Sequence, residues 1–339
     1  MGRMSGFGIA VRKRATLQVL TAEVVETSEI EGERLNPDTV RSSIARRLGV
    51  DIGALAAADR HVDGVVEMVL DTTNQYRRSL TPERLFGWHA ALFSNGYSGM
   101  ASIRVGAWRD DAGGPMQVMS GPIGRRRVHF EAPGAAFLDA EMAAFLDWFD
   151  RPAIGAEDPV IKAGLAHLWF VTLHPFDDGN GRIAHAVGDM ALARAEDSPQ
   201  RFYSLSAQIQ PERHDYYTLL ERTQKGALDA TGWLDWFLGR LMRAIDSADI
   251  TLSAVLHKAR FWQQWAAAPM NVRQINLLNR LLDGFDGFEG KLTSSKWATL
   301  AKCSPDTALR DINELLAGGV LKKSAAGGRS TSYQLADLV

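Results

Sequence analysis

The sequence predicts a mainly α protein with one β-rich insertion and a small C-terminal domain of winged helix-turn-helix type. Three observations predict it. Apolar residues recur at three- and four-residue steps over most of the chain. Glycines and prolines gather around short β-prone runs between Met100 and Pro133. Residues 271–339 read as three helices followed by two short strands.

Composition bounds the function. With 339 residues, 46% hydrophobic and 23% charged, the chain is expected to fold into two or three packed domains rather than remain disordered. Its 38 basic and 40 acidic residues leave a net charge of -2, which argues against a polybasic nucleic-acid coat or membrane binder. One cysteine, Cys303, allows neither an internal disulfide nor a four-cysteine zinc site. Leu165–Leu173 is the longest strongly apolar stretch, contains His167, and falls short of the ~20 residues of a membrane span. Met1–Lys13 lacks the apolar core of a signal peptide. The expectation is a soluble, cytoplasmic protein without a membrane partner.

The elements follow in order. Region 1–99 opens on a helix of about 16–31, with Leu17, Leu20, Val24 and Val25 on one face and Gly32 as its stop. Asn36-Pro37 starts a second helix carrying Val40, Ile44 and Leu48, and helices follow at 60–78 and 82–94. Region 100–265 begins with the insertion, about 100–133. There Ser102–Trp108, Met116–Met119 and Val128–Phe130 read as strands, with Gly121-Pro122-Ile123-Gly124 turning between the last two. The alternative is a surface loop. Helical patterns resume at Ala135 and run, with one break, to about Trp265, and Ala266–Pro269 marks a boundary. In 271–339, helices at 273–283 and about 294–301 precede one opened by Ser304-Pro305. Its apolar face is Ala308, Leu309, Ile312, Leu315 and Leu316. Val320-Leu321 and Ser332–Leu335 then flank a Gly327-Gly328 tip.

The one break holds the candidate chemistry. Pro175 disfavours helical geometry at His174, so that histidine is placed at a helix-to-loop edge. Phe176, Asp177 and Asp178 follow, with Phe176 as an anchor into the core. Gly179-Asn180-Gly181-Arg182 then leads into a helix whose buried face is Ile183, Val187, Met190 and Ala191. A glycine-rich turn at a helix N-terminus offers unpaired N–H groups and the positive end of the dipole, an anion cradle. Arg182 can fork onto phosphate oxygens. Asp178 is a hard oxygen donor suited to Mg²⁺. His174 titrates near neutrality and can accept a proton from an attacking hydroxyl.

His174-Pro175-Phe176-Asp177-Asp178-Gly179-Asn180-Gly181-Arg182 resembles the signature of Fic-domain proteins, His-x-Phe-x-Asp/Glu-Gly-Asn-Gly-Arg-x-x-Arg. The resemblance implies a Fic-type helical bundle with a β-hairpin flap, and transfer of AMP from ATP to a Ser, Thr or Tyr hydroxyl of a target protein, self-modification included. It makes His174 the general base, Asp178 the Mg²⁺ ligand, and Gly179, Asn180, Gly181 and Arg182 the phosphate nest. It also implies that Met116, Gln117, Val118, Met119 and Ser120 form the flap edge that holds an extended target segment, and that Tyr216, Tyr217 and Gln224 line the adenine pocket. For the two tyrosines, partly buried aromatic packing is the competing reading.

Thr27-Ser28-Glu29-Ile30-Glu31-Gly32 resembles the family's inhibitory motif, Ser/Thr-x-x-x-Glu-Gly/Asn. The resemblance makes Glu31, with Thr27 and Gly32, a brake that pairs with the second motif arginine and misorients ATP. That arginine is absent: its position is His185, still on the nucleotide-facing side of the helix. Asp189, four residues on, is expected to pair with His185 and raise its protonated fraction. The expected outcome is surviving nucleotide binding with reduced transfer and a looser brake.

Two other functions stay open. The scaffold can transfer another phosphate-containing group, although divergence of that kind falls in the Gly-Asn-Gly-Arg core, which is intact. The chain can also be a nucleotide-sensing DNA-binding regulator. Residues 271–339 hold nine basic and seven acidic residues, a net +2, a faint footprint for DNA, and the same domain can serve dimer contact instead.

Overall fold

The computed structural model describes residues 9–52, 56–57, 60–122, 124–152, 157–283, 291–324 and 331–337. The expected turn residue Ile123 and the Gly327-Gly328 tip lie outside them. The chain divides into two compact units, Arg12–Ala248 in one and Asp249–Val339 with the residues up to Val11 in the other.

The larger unit is mainly helical. Its helices are α1 (Ile9–Ile30), α2 (Pro37–Leu48), α3 (Arg60–Asn74), α4 (Pro82–Leu92), α5 (Leu138–Asp150), α6 (Pro159–Leu173), α7 (Asn180–Ala195), α8 (Ser206–Ile209), α9 (Arg213–Lys225) and the first part of α10 (Thr231–Gln264). Local chemistry sets their ends. Asn36 Oδ1 accepts the Asp38 N–H at 2.8 Å and Gly49 closes α2 in the left-handed region. Asp158 Oδ1 accepts the Val160 N–H at 2.7 Å, and Pro159 supplies the first helical position of α6.

α7 runs through the middle of this core. Ile183, Ala184, Val187 and Met190 are completely buried, and the rest of the helix from Asn180 to Ala193 is nearly so except Gly181. The sequence pattern marks one buried face; the structure buries the helix all round, because alanines and a glycine fill the other side and let neighbours approach.

The insertion forms two antiparallel pairs. β1 (Tyr97–Ser98) pairs with β2 (Ala101–Ser102), and β3 (Gln117–Ser120) pairs with β4 (Arg127–Glu131), so the hairpin expected from Met116 to Phe130 is present. The strand expected over Ser102–Trp108 is not: beyond Ser102 the backbone is irregular. Its N–H groups go elsewhere, Arg104 to Asp177 Oδ2 at 2.7 Å, Gly106 to His89 Nδ1 at 3.2 Å and Arg109 to the Pro175 carbonyl at 2.9 Å.

Helix limits also differ from expectation: α1 begins at Ile9 rather than about 16, and α4 ends at Leu92 rather than 94. α3 stops at Asn74, before 78, because the Arg84 guanidinium collects the carbonyls of Asp71, Gln75 and Arg78. The helical run after Ala135 is broken at 151–152, 157–158, 196–205 and 226–230 as well as at the motif, where Pro152, Pro199 and Gly226 interrupt it.

The C-terminal unit has its own core, built on Phe261, Leu278, Trp297, Ala308, Ile312, Leu315 and Val320. Its elements are α11 (Val272–Asp283), α12 (Ser294–Ala301), α13 (Pro305–Ala317) and the antiparallel pair β5 (Leu321–Lys323) and β6 (Tyr333–Leu335). Ser304 Oγ accepts the Thr307 N–H at 3.2 Å to start α13. Among the described residues, no helix is long and apolar enough to cross a membrane.

Candidate active site

α6 ends on His174, whose φ of 49° and ψ of 56° are left-handed. Pro175 bars continuation of the helix, and a non-glycine residue in this conformation carries a cost of about 1–2 kcal/mol. Arg109, buried at 3% exposure, holds it there: its Nε donates to the His174 carbonyl at 2.8 Å, and its own N–H to Pro175. The ring is oriented too. Nδ1 lies 3.1 Å from the Val171 carbonyl, which only accepts, so Nδ1 carries the proton and Nε2 keeps its lone pair. Burial pushes the imidazole below its usual range, with the Arg109 charge adding to the effect, so the neutral, proton-accepting form prevails.

The loop after His174 is braced from inside. Phe176 is fully buried and stacks on His89 with centroids 4.3 Å apart. Asn180 spans the turn: its Oδ1 accepts the Phe176 N–H at 2.9 Å and its Nδ2 donates to the Phe176 carbonyl at 2.8 Å. His89 Nε2 donates to the Asp178 carbonyl at 3.2 Å while its Nδ1 accepts from Gly106. Asp178 Oδ1 accepts the Gly179 N–H at 2.6 Å, and its Oδ2 takes the Ser98 hydroxyl.

Gly179 precedes α7 with φ of 79°, and a Cβ there would fall 2.7 Å from the Phe93 ring. A Cβ on Gly181 would fall 2.2 Å from the Glu31 carboxyl. The end of the Glu31 side chain therefore rests directly on the first turn of α7, where an anion would be held. Burial lifts its carboxyl from the ordinary 4.5 to about 7; Arg182, Tyr217 and Arg213 oppose the rise and Asp178 adds to it. Gly32 makes the approach possible. At φ of 86° it closes α1 with bonds from its N–H to the Glu29 carbonyl at 3.0 Å and from Glu33 to Ser28 at 2.9 Å, and these turn the chain at Glu31. Thr27 Oγ1 donates within the core, 2.8 Å from Ser206 Oγ and 3.1 Å from Glu23 Oε1.

His185 Nε2 faces Glu31 Oε1 at 4.0 Å, and neither atom has a hydrogen-bond partner. Burial depresses the His185 pKa to about 4, so the ring is neutral. The expected His185–Asp189 pair does not form. Asp189 bonds instead to Arg201 at 2.5 Å, within a buried group that includes Glu23.

Arg182 NH1 bonds to Glu33 Oε2 at 2.8 Å. Glu33 also touches His61 Nε2, whose Nδ1 lies 3.1 Å from the Leu92 carbonyl. The Glu33 hydrogen bond raises the His61 pKa. Tyr217, 37% exposed, donates to the Ile30 carbonyl at 2.9 Å. Tyr216 is fully buried with its hydroxyl 2.9 Å from His167 Nε2, and Gln224 Nε2 donates to Thr172 Oγ1 at 3.2 Å. On the insertion, the Ala132 N–H donates to the Met116 carbonyl and extends the pairing of Gln117, Val118, Met119 and Ser120 with β4. The other edge of β3 pairs with no strand among the described residues.

Arg109, His89, Glu33 and His61 are the site residues that sequence reading misses. Of these, Glu33 alone carried a signal, an acid two residues beyond Glu31.

Residues 79–192 match the Fic/DOC family model, and residues 1–50 match a domain of unknown function, DUF4172. The chain is similar to the protein adenylyltransferase Fic of Nematostella vectensis, 24% identical over 218 residues, or 63% of this chain and 45% of that one. It is also similar to that of Culex quinquefasciatus, 34% identical over 95 residues, or 28% and 18%. The chain thus spans less than half the length of these curated relatives. Two solved structures share the fold at 18% identity. A Fic family protein from Desulfovibrio desulfuricans G20 has a TM-score of 0.53 over 95% of this chain and 87% of its own. A Fic domain containing signaling protein from Bacteroides thetaiotaomicron VPI-5482 has 0.55 over 76% and 93%.

Proposed function

We propose, on the premise that residues 79–192 are a Fic/DOC family domain, that this chain transfers AMP from ATP to a hydroxyl side chain of a protein and holds its own site closed. The observation that carries the reading is the Glu31 carboxyl seated over Gly181 at the start of α7. It lies where the exposed N–H groups and helix dipole would hold a polyphosphate.

In this reading the target's hydroxyl gives its proton to His174 Nε2 as its oxygen attacks the α-phosphorus, and pyrophosphate leaves. Arg109 and the Val171 carbonyl keep the ring aimed and in the accepting tautomer. The Gly179–Arg182 turn binds the phosphates, with Asn180 bracing the loop, and Tyr217 and Gln224 border the nucleotide. Asp178 fits Mg²⁺ by donor chemistry, a hard carboxylate whose Ser98 partner a cation can displace. Among the described residues no group of three or more His, Cys, Asp or Glu side chains is arranged to hold a metal ion, so Asp178 would be the residue that holds it. Mg²⁺ there neutralises developing charge when bound. The open edge of β3 receives the target segment by strand addition.

The brake has two acids. Glu31 occupies the cradle, facing a neutral His185 rather than an arginine, and Glu33 diverts Arg182 with His61 behind it. His185 offers no fork to the γ-phosphate, which supports reduced transfer. Residues 271–339 we read as a winged helix for DNA or a second copy, and the chain as cytoplasmic.

Incubation with α-labelled ATP and Mg²⁺ tests the reading. Glu31→Gly is expected to label protein faster than wild type, and His185→Arg added to Glu31→Gly faster still, while His174→Ala lowers the rate by roughly 10²–10⁴. Label that survives His174→Ala would contradict the mechanism.

A further inference from the structure

The hairpin of β3 and β4 has its base at the site and its tip well away from it. At the base the Ala132 N–H donates to the Met116 carbonyl at 2.9 Å, and the next carbonyl, of Pro133, accepts from Arg109 Nη2 at 2.5 Å. The Nε of the same guanidinium holds the His174 carbonyl, so the base lies beside His174. From Met116 to Ser120 the strand advances about 14 Å, at ~3.4 Å per residue. There it turns at Gly121 and Gly124, where φ is 98° and 89°. The tip beyond is basic. Arg125, Arg126 and Arg127 are all exposed, and the one acid from Met116 to Glu131 is Glu131 itself, whose carboxylate takes the Gln117 amide at 2.8 Å. Of the three arginines, Arg127 alone has an ion pair among the described residues, with Glu221 of α9 at 2.8 Å. His129 and Lys225 bind the same carboxylate at 2.6 and 2.8 Å, so the tip is fastened to α9. Solubility needs no like charges in a row; held on a fixed turn they repel one another, and a partner of opposite sign relieves that repulsion.

We propose that the hairpin selects acidic protein segments: a chain lying along the open edge of β3 puts its acceptor hydroxyl at the base and Asp or Glu side chains, about four to six residues away, against Arg125 and Arg126. That a protein segment lies on β3 rests on the function proposed above; its charge rests on the residues of the tip. Each guanidinium offers a fork that matches a carboxylate. Met119 and Val128, paired across the strands and 43% and 40% exposed, give the same segment apolar contact between hydroxyl and acids. A nucleic acid or an anionic membrane also attracts arginines, but neither uses the unpaired N–H and C=O groups of a strand edge. A peptide uses both.

Two arms test it on the full chain. The first titrates two fluorescent peptides, each with a central threonine, one carrying Asp and the other Lys at about four to six positions on both sides of it. Two exposed charge pairs are expected to make the Asp peptide bind roughly threefold to thirtyfold tighter at low salt. The preference is expected to reverse when Arg125→Glu and Arg126→Glu are combined, and the bound peptide to slow hydrogen exchange of the β3 amides. Equal affinities, a preference that survives the double variant, or β3 amides left unprotected would overturn the proposal. Duplex DNA that binds through the same arginines and is not displaced by the Asp peptide would overturn it too. The second arm gives both peptides to Glu31→Gly with α-labelled ATP and Mg²⁺. Faster labelling of the Asp peptide supports the proposal, and equal labelling overturns it while preserving the transferase. An Asp peptide that binds as expected but takes no label, with none on the chain or on added protein, sinks the transferase reading and leaves acidic recognition standing.

Discussion

On the proposed function, the two ends of the motif loop stand in opposite states. At the His174 end the base is ready: tautomer fixed by Val171, backbone held by Arg109, ring kept neutral by burial. At the Gly181–Arg182 end the same loop is blocked, with Glu31 over the cradle and Glu33 on the arginine. On the proposed function, the difference teaches that the closed state would leave the proton-transfer machinery intact and act only where phosphates would bind. Control by occupancy needs no rearrangement of the base, only departure of the α1 end.

The contrast can be broken at its ready end first. His174→Gln keeps a polar side chain but no base, and transfer is expected to fall by roughly 10²–10⁴ in a labelled-ATP assay with ATP binding unchanged. A parallel loss of binding would mean the two ends are not separable. Asn180→Ala removes the brace that satisfies both the N–H and the carbonyl of Phe176. Denaturant unfolding is expected to show a loss of about 1–3 kcal/mol.

Proton linkage sharpens the blocked end. In the closed state Glu31 titrates at about 7, against an ordinary 4.5. The closed state therefore binds the extra proton, and its advantage is complete below the lower value and lost as pH rises through the higher one. Among the groups facing Glu31, Arg182, Arg213, Tyr217 and Asp178 set that value, and His185 is neutral. ATP affinity of wild type is expected to rise between about pH 4.5 and about pH 7 relative to Glu31→Gln, which stays neutral throughout. Equal slopes would remove Glu31 from the brake. The smallest effect is expected of Glu33→Gln. Its pair with the buried Arg182, 35% exposed on the Glu33 side, is taken at about 0.2–1 kcal/mol, so ATP should bind only up to about fivefold tighter by titration calorimetry.

What was legible in the sequence was local. Pro175 fixes where α6 ends, the two glycines fix the cradle, and Gly32 fixes the turn that carries Glu31, because each acts through its own φ or its missing side chain. What escaped was long-range pairing. Arg109 reaches His174 across 65 positions and Arg182 reaches Glu33 across 149, and no hydrophobic period encodes either. The same cause undid two expectations. Asp189 lies at helical spacing from His185 but finds a better partner in Arg201, and the run after Ser102 spends its N–H groups on the motif loop instead of a strand.

The central claim is that the Glu31 carboxyl and the nucleotide phosphates compete for one place at the start of α7. It is tested most directly by measuring the ATP affinity of wild type and Glu31→Gly side by side. The account predicts tighter binding to Glu31→Gly by at least about tenfold, or about 1.4 kcal/mol. Equal affinities would contradict it.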